Sequence, residues 1–512
     1  MAEKTNNSTI AKNTMFLYFR MMVTMILSLY ISRVVLKVLG VDDYGTYQAV
    51  GGIVGFMSFI NGALSTGTSR FITFGLGEGN IEKLKNIFAT TFTGHVILAL
   101  LIMVVAETVG FWFLHHKMVI PPDRMYAAEW VLHLSILTAF FNLTQVPFNA
   151  CIIAHEKMTV YAYVSIVDAV CRLLIVYMLL IGQMDKLILY AILHVILQVS
   201  ILCFYRFYSV HHFLEARMRL HIDKTVFREI LGFSGWSLFA QTSIALNSQG
   251  ILILLNMFFS PAVVAARSIS IQVNMAATQF MSNFQTAAVP QIVKLYASKN
   301  YDESKHLLLD TAKFSFCLMM LLSIPICFSA KQLLTLWLDV VPPYTVIFLQ
   351  LIVIQSLFQV FDTTFYYALY AKGRLRENAL ISPTLGFISF PIVYVLFKLG
   401  LSPVALSWAS IITYALLGIL IKPILIIRIV NYSWRDIISV FIPCIKVTLA
   451  SLPLPFIISY YLDTLHLHML VEFIIIVIVC VVSVGSSSWL LGLTPEMRSK
   501  ILTLVREKII KK

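Results

Sequence analysis

The chain has 512 residues, of which 59% are hydrophobic and only 12% are charged, and its mean hydropathy is +0.85. These values exclude a soluble globular protein and indicate an integral membrane protein. The net charge of +13 does not indicate nucleic-acid binding, because the basic residues are spread over short loops and the C-terminal tail. The seven cysteines lie in apolar runs without paired spacing and the histidine pairs lack the spacing of a metal site, so no disulfide framework, metal or other cofactor is predicted.

Fourteen apolar runs are long enough to cross a bilayer as a helix, which takes roughly 20 residues. They lie at 15–38, 46–66, 87–110, 130–152, 159–182, 186–208, 233–258, 262–289, 307–330, 344–369, 378–399, 403–427, 437–460 and 468–492. The first run lacks a small-residue cleavage site, so we expect it to remain as an anchor rather than to be removed as a signal peptide. Lys and Arg are concentrated in the loops on the same side as the N-terminus, which predicts that both termini are cytoplasmic.

Two loop sequences recur at a nearly constant shift and indicate an internal repeat. The segment GNIEKLKNIFATTF, from Gly79, resembles KNYDESKHLLLDTA, from Lys299, and AHEKMTVYA, from Ala154, resembles AKGRLRENA, from Ala371. Six predicted spans separate the copies, and an even number keeps both in the same orientation, as in a parallel repeat. Chance similarity in a biased composition is the alternative explanation. The predicted organisation is a six-helix bundle at 1–208, a cytoplasmic amphipathic linker at 209–230, a second six-helix bundle at 231–428, and two additional helices with a basic tail at 429–512.

Polar side chains interrupt the predicted eighth span. At 100° per residue, one helix face carries Ser268, Gln272, Gln279, Asn283 and Thr286, and the neighbouring stripe carries Arg267, Asn274, Thr278 and Gln285. The seventh span carries Gln241 and Asn247, and the second carries Asn61 and Arg70. For any single amide an interhelical hydrogen bond is the simpler explanation. Polar faces on three spans together nevertheless favour a hydrated central cavity.

The charged residues within the spans predict what such a cavity would accept. Arg20, Arg70 and Arg267 favour an anionic, phosphate-bearing substrate, because a guanidinium donates two parallel hydrogen bonds to phosphate oxygens. Arg20 could instead extend to the membrane interface. Three intramembrane acids could couple an ion to transport, with single hydrogen-bonded acids as the alternative; they are Glu107, Asp168 and Asp362. For Asp168, an i,i+4 pair with Arg172 favours a structural role.

The segment after the first span, VLGVDDYGTYQAV, contains Leu39-Gly40, Asp43-Tyr44-Gly45 and Tyr47. It resembles the hallmark turn of bacterial polysaccharide exporters and O-antigen flippases, which belong to the multidrug, oligosaccharidyl-lipid and polysaccharide exporter superfamily. The glycines at positions 40 and 45 would permit a tight turn between the first two spans. Asn13-Thr14, Thr68-Ser69-Arg70 and the loop Gly77-x-Gly79-Asn80 extend the similarity.

This resemblance implies an all-α membrane protein with two pseudo-symmetric six-helix bundles around a central cavity, followed by two C-terminal helices. It implies that alternating access carries a polyprenyl-diphosphate-linked oligosaccharide to the outer leaflet of the inner membrane, for O-antigen, capsule or another surface polysaccharide. Lipid II flippases similarly carry arginines on the first, second and eighth spans, which gives Arg20, Arg70 and Arg267 a role at the diphosphate. The glycan would then contact the amides Asn61, Gln241, Asn247, Gln272, Asn274, Gln279 and Asn283.

A lipid II flippase and a multidrug or toxin extruder of the same superfamily are the alternatives, although the extruders resemble twelve-helix chains. A membrane-embedded polymerase or an assembly scaffold would be expected to show a long outer loop, which the sequence lacks, and the sequence has no P-loop or serine elbow to indicate an enzyme. The predicted partners are the lipid-linked oligosaccharide and membrane lipids, and a glycan polymerase is a candidate protein partner.

Overall fold

A computed structural model describes residues 2–155, 157–181, 184–217, 220–465, 467–493 and residue 498; the side chains of residues 2–20 and of a few later positions lie outside this description. All regular secondary structure in the described part is helical, which confirms the predicted all-α class. Helices are the expected solution in a bilayer, because each satisfies its backbone hydrogen bonds within one segment. The chain packs as two compact units, Met1–Ser268 and Ile269–Lys512.

The first unit contains ten helices among its described residues. They are α1 Ala2–Leu39, α2 Val41–Phe56, α3 Ser58–Glu78, α4 Ile81–Val105, α5 Phe111–Lys117, α6 Met125–Ala154, α7 Met158–Met178, α8 Lys186–His212, α9 Lys224–Ala245 and α10 Ile251–Phe258. Two π-helical turns, Ala106–Gly110 and Leu246–Gly250, join α4 to α5 and α9 to α10. An apolar cluster around Phe88 and Phe148 holds α3, α4, α6 and α8 together.

The second unit takes in most of α11 and the helices that follow. These are α11 Pro261–Ala297, α12 Tyr301–Phe328, α13 Ala330–Trp337, α14 Thr345–Lys372, α15 Leu375–Lys398, α16 Ala405–Ala415, α17 Lys422–Val430, α18 Trp434–Ser451, α19 Pro453–Leu465 and α20 Met469–Ser487. A π-helical turn, Leu416–Ile421, joins α16 to α17, and a second one, Ser488–Gly492, follows α20. The unit boundary falls inside α11.

Eleven helical stretches within the described residues are long and apolar enough to cross a membrane, and a twelfth results if α2 and α3, bent by 44°, form one span. The chain is therefore a multi-pass membrane protein, and each of the fourteen predicted spans coincides with a helical segment. The two predicted spans outside this set are 233–258 and 262–289, which are helical as α9–α10 and α11 but carry the amides noted above. Polar side chains lower the mean hydropathy of a segment without preventing it from being a helix.

The segment predicted as an amphipathic linker, 209–230, contains the end of one helix, a short turn and the start of another helix among its described residues. The chain continues in α8 as far as His212, forms a short 3-10 turn at Leu214–Ala216, and begins α9 at Lys224. Asp223 accepts hydrogen bonds from the backbone N–H groups of Thr225 and Val226, so its side chain caps α9. Such a cap fixes the start of a helix, here at Lys224.

The repeated loops occupy equivalent places in the helix order. Gly79 and Lys299 both adopt positive φ, at 70° and 64°, directly before long helices. In the first turns of those helices, Lys85 pairs with Glu82 at 2.7 Å and Lys305 with Asp302 at 3.6 Å, each at i,i+3. The second pair of loops likewise separates a long helix from the next one, after Ala154 in one copy and after Lys372 in the other. The paired loops thus share local structure, whereas the repeat itself and the bounds of the four predicted segments stay a prediction.

An arginine clamp ties together the N-terminal ends of α2, α6 and α8. The guanidinium of Arg124 donates to Asp43 from Nε at 2.7 Å and from Nη2 at 2.6 Å, and to Asp185 from Nη1 at 2.6 Å. Asp185 also accepts hydrogen bonds from the backbone N–H groups of Leu187 and Ile188, which caps α8. Two carboxylates on one forked cation make charge-assisted hydrogen bonds, the stronger kind. The hallmark aspartate at position 43 therefore has a structural partner.

We expect Asp185→Asn to be less destabilising than Asp185→Ala by about 1 kcal/mol, because Asn still accepts the capping hydrogen bonds and loses only the charge. Burial of Asp185 opposes its ionisation, but the hydrogen bond from Arg124 and those from the backbone outweigh it and hold the pKa of this carboxyl below its ordinary value. Its stabilising contribution is therefore complete above the ordinary pKa of an aspartate and is lost as the pH falls through the lower, folded value.

Thermal unfolding of purified wild type, Asp185→Asn and Asp185→Ala in detergent tests the expected order of stability. Repeating it at about pH 7 and about pH 3 tests the pH dependence. The difference between wild type and Asp185→Asn should shrink at the lower pH. An equal difference at both pH values would show that the charge of Asp185 contributes nothing to the clamp.

Candidate functional site

The two polar stripes of α11 have different surroundings. On the stripe that includes Arg267, Asn274 accepts a hydrogen bond from Ser356 Oγ at 2.8 Å, and Gln285 donates to Thr364 Oγ1 at 2.7 Å. Asn274 is 9% exposed and Gln285 is 1% exposed. Both partners lie on α14, so these amides are interhelical hydrogen-bonding groups of the second unit. Interhelical hydrogen bonding, the simpler explanation for a single amide within a span, thus accounts for the amides of this stripe.

The other stripe is more accessible. Gln272, Gln279 and Asn283 are all partly exposed, and Gln279 Nε2 donates to Asn283 Oδ1 at 3.0 Å, one turn along the same helix. Thr286 continues the stripe as an exposed residue, with its hydroxyl bonded to the carbonyl of Ser282. These side chains are thus more exposed than Asn274 and Gln285 on the neighbouring stripe. Their role in substrate binding stays a prediction.

In the first unit, α3 packs closely against α9, and α2 packs closely against the π-helical turn Leu246–Gly250. A Cβ placed on Gly62 would lie 3.2 Å from the side chain of Gln241, and one placed on Gly55 would lie 3.1 Å from Gln249 Oε1. Asn61 lies beside Gly62, and its buried Oδ1 atom has no hydrogen-bond partner among the described residues. Buried polar atoms usually have a partner, either protein or water. Gly62 on α3 and Gly55 on α2 therefore let amide-bearing segments approach closely, and Asn61 marks a place where water or a ligand group would be accommodated.

Asn247 lies in the π-helical turn between α9 and α10, and its Nδ2 donates to the carbonyl of Ser243 at 2.9 Å. Glu107 also lies in a π-helical turn, where its Oε2 is 2.7 Å from Nδ1 of His133. A π-helical turn inserts a residue into a helix and is frequent at functional sites. Two of the predicted residues therefore lie at irregular points of their spans, which their sequence context did not indicate.

The three predicted arginines have different surroundings. Arg267 is 3% exposed, so its side chain is packed within the protein, and its role in substrate binding stays a prediction. Arg70 is exposed on α3, with its guanidinium 6.0 Å from the ring centre of Phe71. The side chain of Arg20 lies outside the described residues. Arg267 thus has the surroundings expected of a functional intramembrane charge, because an unshielded central arginine would cost about 2.5–3.5 kcal/mol on an insertion scale.

A second charged cluster surrounds Arg172 in the first unit. Its Nε donates to both carboxylate oxygens of Asp168, at 3.0 and 3.1 Å, and its Nη1 is 3.4 Å from Nδ1 of His194. Tyr47 and Tyr190 complete the surroundings of His194, with ring centres 6.1 and 4.5 Å from it. The predicted Asp168–Arg172 pair is present within α7, and the contact of Arg172 with His194 joins α7 to α8. Sequence reasoning did not find the histidine and the two tyrosines.

The third predicted acid, Asp362, also has a partner that the sequence analysis missed. Lys422 Nζ lies 3.1 Å from Asp362 Oδ1, and the side chain of Lys422 is 2% exposed. The ammonium also donates to Asn378 Oδ1 and lies 5.6 Å from the ring centre of Tyr366. Lys422 directly follows the π-helical turn Leu416–Ile421. A lysine within the apolar run LLGILIKPILII was the available signal, since ionisable residues inside a span usually have a function or a partner.

The helices, their order and these charged clusters within the spans define a multi-pass membrane protein, and comparisons give the fold. Residues 17–178 match the family model described as MatE. The structure of a multidrug resistance MATE family transporter of the MOP superfamily, in an inward-facing conformation, superposes with a TM-score of 0.69 over 81% of this chain and 99% of that chain, at 14% identity. The lipid II flippase MurJ, in an inward closed conformation, superposes with a TM-score of 0.69 over 93% of this chain and 98% of that chain, at 12% identity.

Among curated proteins, the uncharacterized membrane protein EpsK of Bacillus subtilis (strain 168) is 21% identical over 422 residues, which are 80% of this chain and 82% of that protein. Together the structural likenesses show that this chain has the fold of MATE transporters and of MurJ, as the sequence resemblance implied. Placement within the polysaccharide and O-antigen branch stays a prediction.

Proposed function

We propose that the chain is a transporter that moves a polyprenyl-diphosphate-linked oligosaccharide from the cytoplasmic to the outer leaflet by alternating access, in the synthesis of a surface polysaccharide. The observation that carries this proposal is the partly exposed amide stripe of α11 on the same helix as the buried Arg267. A diphosphate needs a guanidinium that stays charged when it is desolvated. An oligosaccharide needs many polar groups that exchange hydrogen bonds, which amides supply.

The extent of the structural likeness supports a flippase over an extruder. The MATE transporter superposes on 81% of this chain, whereas MurJ superposes on 93%. The larger coverage agrees with the fourteen predicted spans of this chain, whereas the extruders resemble chains of twelve helices. A lipid II flippase remains the second candidate on the same grounds, because its substrate also joins a lipid to a glycan through phosphate.

In this proposal the diphosphate would contact Arg20, Arg70 and Arg267, and the glycan would contact Asn61, Gln241, Asn247, Gln272, Gln279 and Asn283. Asn274 contributes less directly, because its carbonyl oxygen is bonded to Ser356. Both termini would lie in the cytoplasm and the protein in the cytoplasmic membrane, following the Lys and Arg bias of the loops. A glycan polymerase is the proposed protein partner.

Ion coupling would use one of the three acid–base pairs, Glu107–His133, Asp168–Arg172 or Asp362–Lys422. A proton or cation can shift a conformational equilibrium only if it binds one state more tightly than the other. The Asp362–Lys422 pair suits this requirement best, since its side chains are 16% and 2% exposed and separating them would leave an unpaired charge in the span.

The test is mass spectrometry of polyprenyl-linked glycans extracted from cells that lack the gene, complemented with wild type, Arg267→Ala or Arg435→Gln. We expect full-length lipid-linked oligosaccharide to accumulate without the gene and to be cleared by wild type. Arg267→Ala should clear it at least about tenfold more slowly, the loss expected when about 1.4 kcal/mol of interaction is removed. Arg435, an exposed residue in the first turn of α18, is the control and should leave clearance unchanged.

Other outcomes separate the alternatives. Accumulation of lipid II with arrest of cell-wall synthesis would identify a lipid II flippase. Loss of resistance to drugs or toxins without any accumulated lipid-linked glycan would contradict the proposal and favour an extruder.

A further inference from the structure

A cavity of about 500 Å³ lies in the first unit, between the first two turns of α4 and the segment that follows the 3-10 turn at Leu214–Ala216. Its lining combines three basic side chains, one amide and two apolar side chains: Lys85, Arg217, His221, Asn86, Ala89 and Leu220. The cavity is formed entirely within this unit and none of its lining residues belongs to the predicted substrate site. It is therefore a separate feature of the molecule.

The wall of the cavity is fixed by hydrogen bonds to α4. The backbone N–H of His221 donates to Thr93 Oγ1 at 3.1 Å, and that of Asp223 donates to Thr90 Oγ1 at 3.0 Å. Gly94 lets α9 approach, because a Cβ there would lie 3.1 Å from the ring of Phe227. Two threonines one turn apart on α4 thus hold the chain beside the basic side chains. The cavity is preorganised, which reduces the entropy that a ligand would lose on binding.

The charges of the lining favour an anion. Arg217 is exposed, so a ligand can reach its guanidinium. Lys85 pairs with Glu82, but the Glu82 side chain is 76% exposed, and such an exposed pair contributes little. His221 adds an imidazole that can donate a hydrogen bond. Asn86 supplies amide N–H donors, and the positive end of the α4 dipole lies within two turns.

The position of the cavity favours a lipid as the carrier of this anion. Lys85 and Asn86 lie near the start of Ile81–Lys117, a stretch apolar enough to cross a membrane, and lipid phosphates lie at the ends of such spans. Leu220 in its lining is 77% exposed, which suits contact with an acyl chain beside a bound headgroup. We propose that this cavity binds the phosphate of an anionic phospholipid headgroup, with Arg217 and Lys85 as its ligands.

The experiment measures binding to the purified full-length chain in detergent by native mass spectrometry. The probes are dihexanoylphosphatidylglycerol, dihexanoylphosphatidylcholine and inorganic phosphate. Wild type should bind the anionic lipid about tenfold more tightly than the zwitterionic one. The reason is that each basic residue near an anionic lipid headgroup raises the affinity by less than about tenfold, and two such residues are proposed as ligands. Lys85→Gln/Arg217→Gln should remove this preference. Lys85→Arg/Arg217→Lys should keep it, which separates loss of charge from misfolding.

Lys83→Gln is the matched control, because Lys83 lies in the same turn of α4 but pairs with Glu78 and does not line the cavity. Binding of inorganic phosphate as tight as that of the anionic lipid would retain the phosphate site and reassign its ligand to the free anion. Equal binding of the two lipids by wild type, together with no binding of phosphate, would overturn the proposal. An equal loss of preference in Lys83→Gln would overturn it as well, since the charge would then act without the cavity.

Discussion

Replacement of Gly45 by alanine is expected to prevent the chain from accumulating as a folded protein. Gly45 lies in α2, where a Cβ would be 1.9 Å from the carbonyl oxygen of Pro261 and 2.4 Å from its carbonyl carbon. Both are backbone atoms at the start of α11, so no side-chain rotation relieves the clash. Overpacking of a core usually costs 1–3 kcal/mol because side chains move, and a clash with backbone should cost more than about 3 kcal/mol.

Gly51→Ala is the matched control, because Gly51 lies on the same helix and a Cβ there meets nothing within 4 Å. We expect Gly51→Ala to be neutral or to stabilise α2 by about 0.5–1 kcal/mol, the ordinary advantage of alanine over glycine in a helix. Size-exclusion profiles and thermal midpoints of fluorescently tagged variants, solubilised from membranes, measure both effects. A monodisperse Gly45→Ala protein with the midpoint of Gly51→Ala would contradict the expected packing.

The two glycines of the hallmark segment show what the sequence could and could not establish. The sequence analysis assigned both Gly40 and Gly45 to a tight turn. Gly40 has φ 85° and does form that turn, which local sequence can predict because only glycine adopts such a conformation readily. Gly45 is helical and serves the close approach of Pro261, a contact between residues more than 200 positions apart. Local pattern therefore predicts turns and helices, whereas long-range packing needs the fold.

The same distinction applies to the polar residues. Helical spacing correctly placed Asn274 and Gln285 on one stripe of α11 and Gln279 and Asn283 on another. It did not indicate which stripe is buried, because that depends on the hydroxyls of Ser356 and Thr364 on α14. Asp362 could be predicted as an intramembrane acid because it lies within an apolar run of the sequence. Its lysine partner is 60 residues further along the chain, and pairing at that distance is not encoded in either local sequence.

The pairing of Lys422 with Asp362 predicts a large effect when only one partner is replaced. Lys422→Met keeps the length of the side chain but leaves the Asp362 carboxylate buried without its counter-ion, and Asp362→Asn leaves the ammonium in the same state. Breaking a buried pair from one side costs about 3–5 kcal/mol, whereas replacing both partners is often nearly neutral. We therefore expect either single variant to unfold far more readily than the double variant Asp362→Asn/Lys422→Met, with thermal unfolding in detergent as the measurement.

Lys398→Met controls for the loss of a lysine, because Lys398 is exposed at the end of α15, and it should change stability by less than about 0.5 kcal/mol. Single variants as stable as this control would show that the pair is not energetically coupled. The double variant also separates two roles for the pair, since it restores stability without restoring charge. A stable double variant that clears lipid-linked glycan at the wild-type rate would make the pair purely structural. If it is stable and clears no glycan, the charges themselves are needed for transport. The neutral side chains of the double variant then maintain the fold equally well, but they cannot exchange a proton or cation at this position.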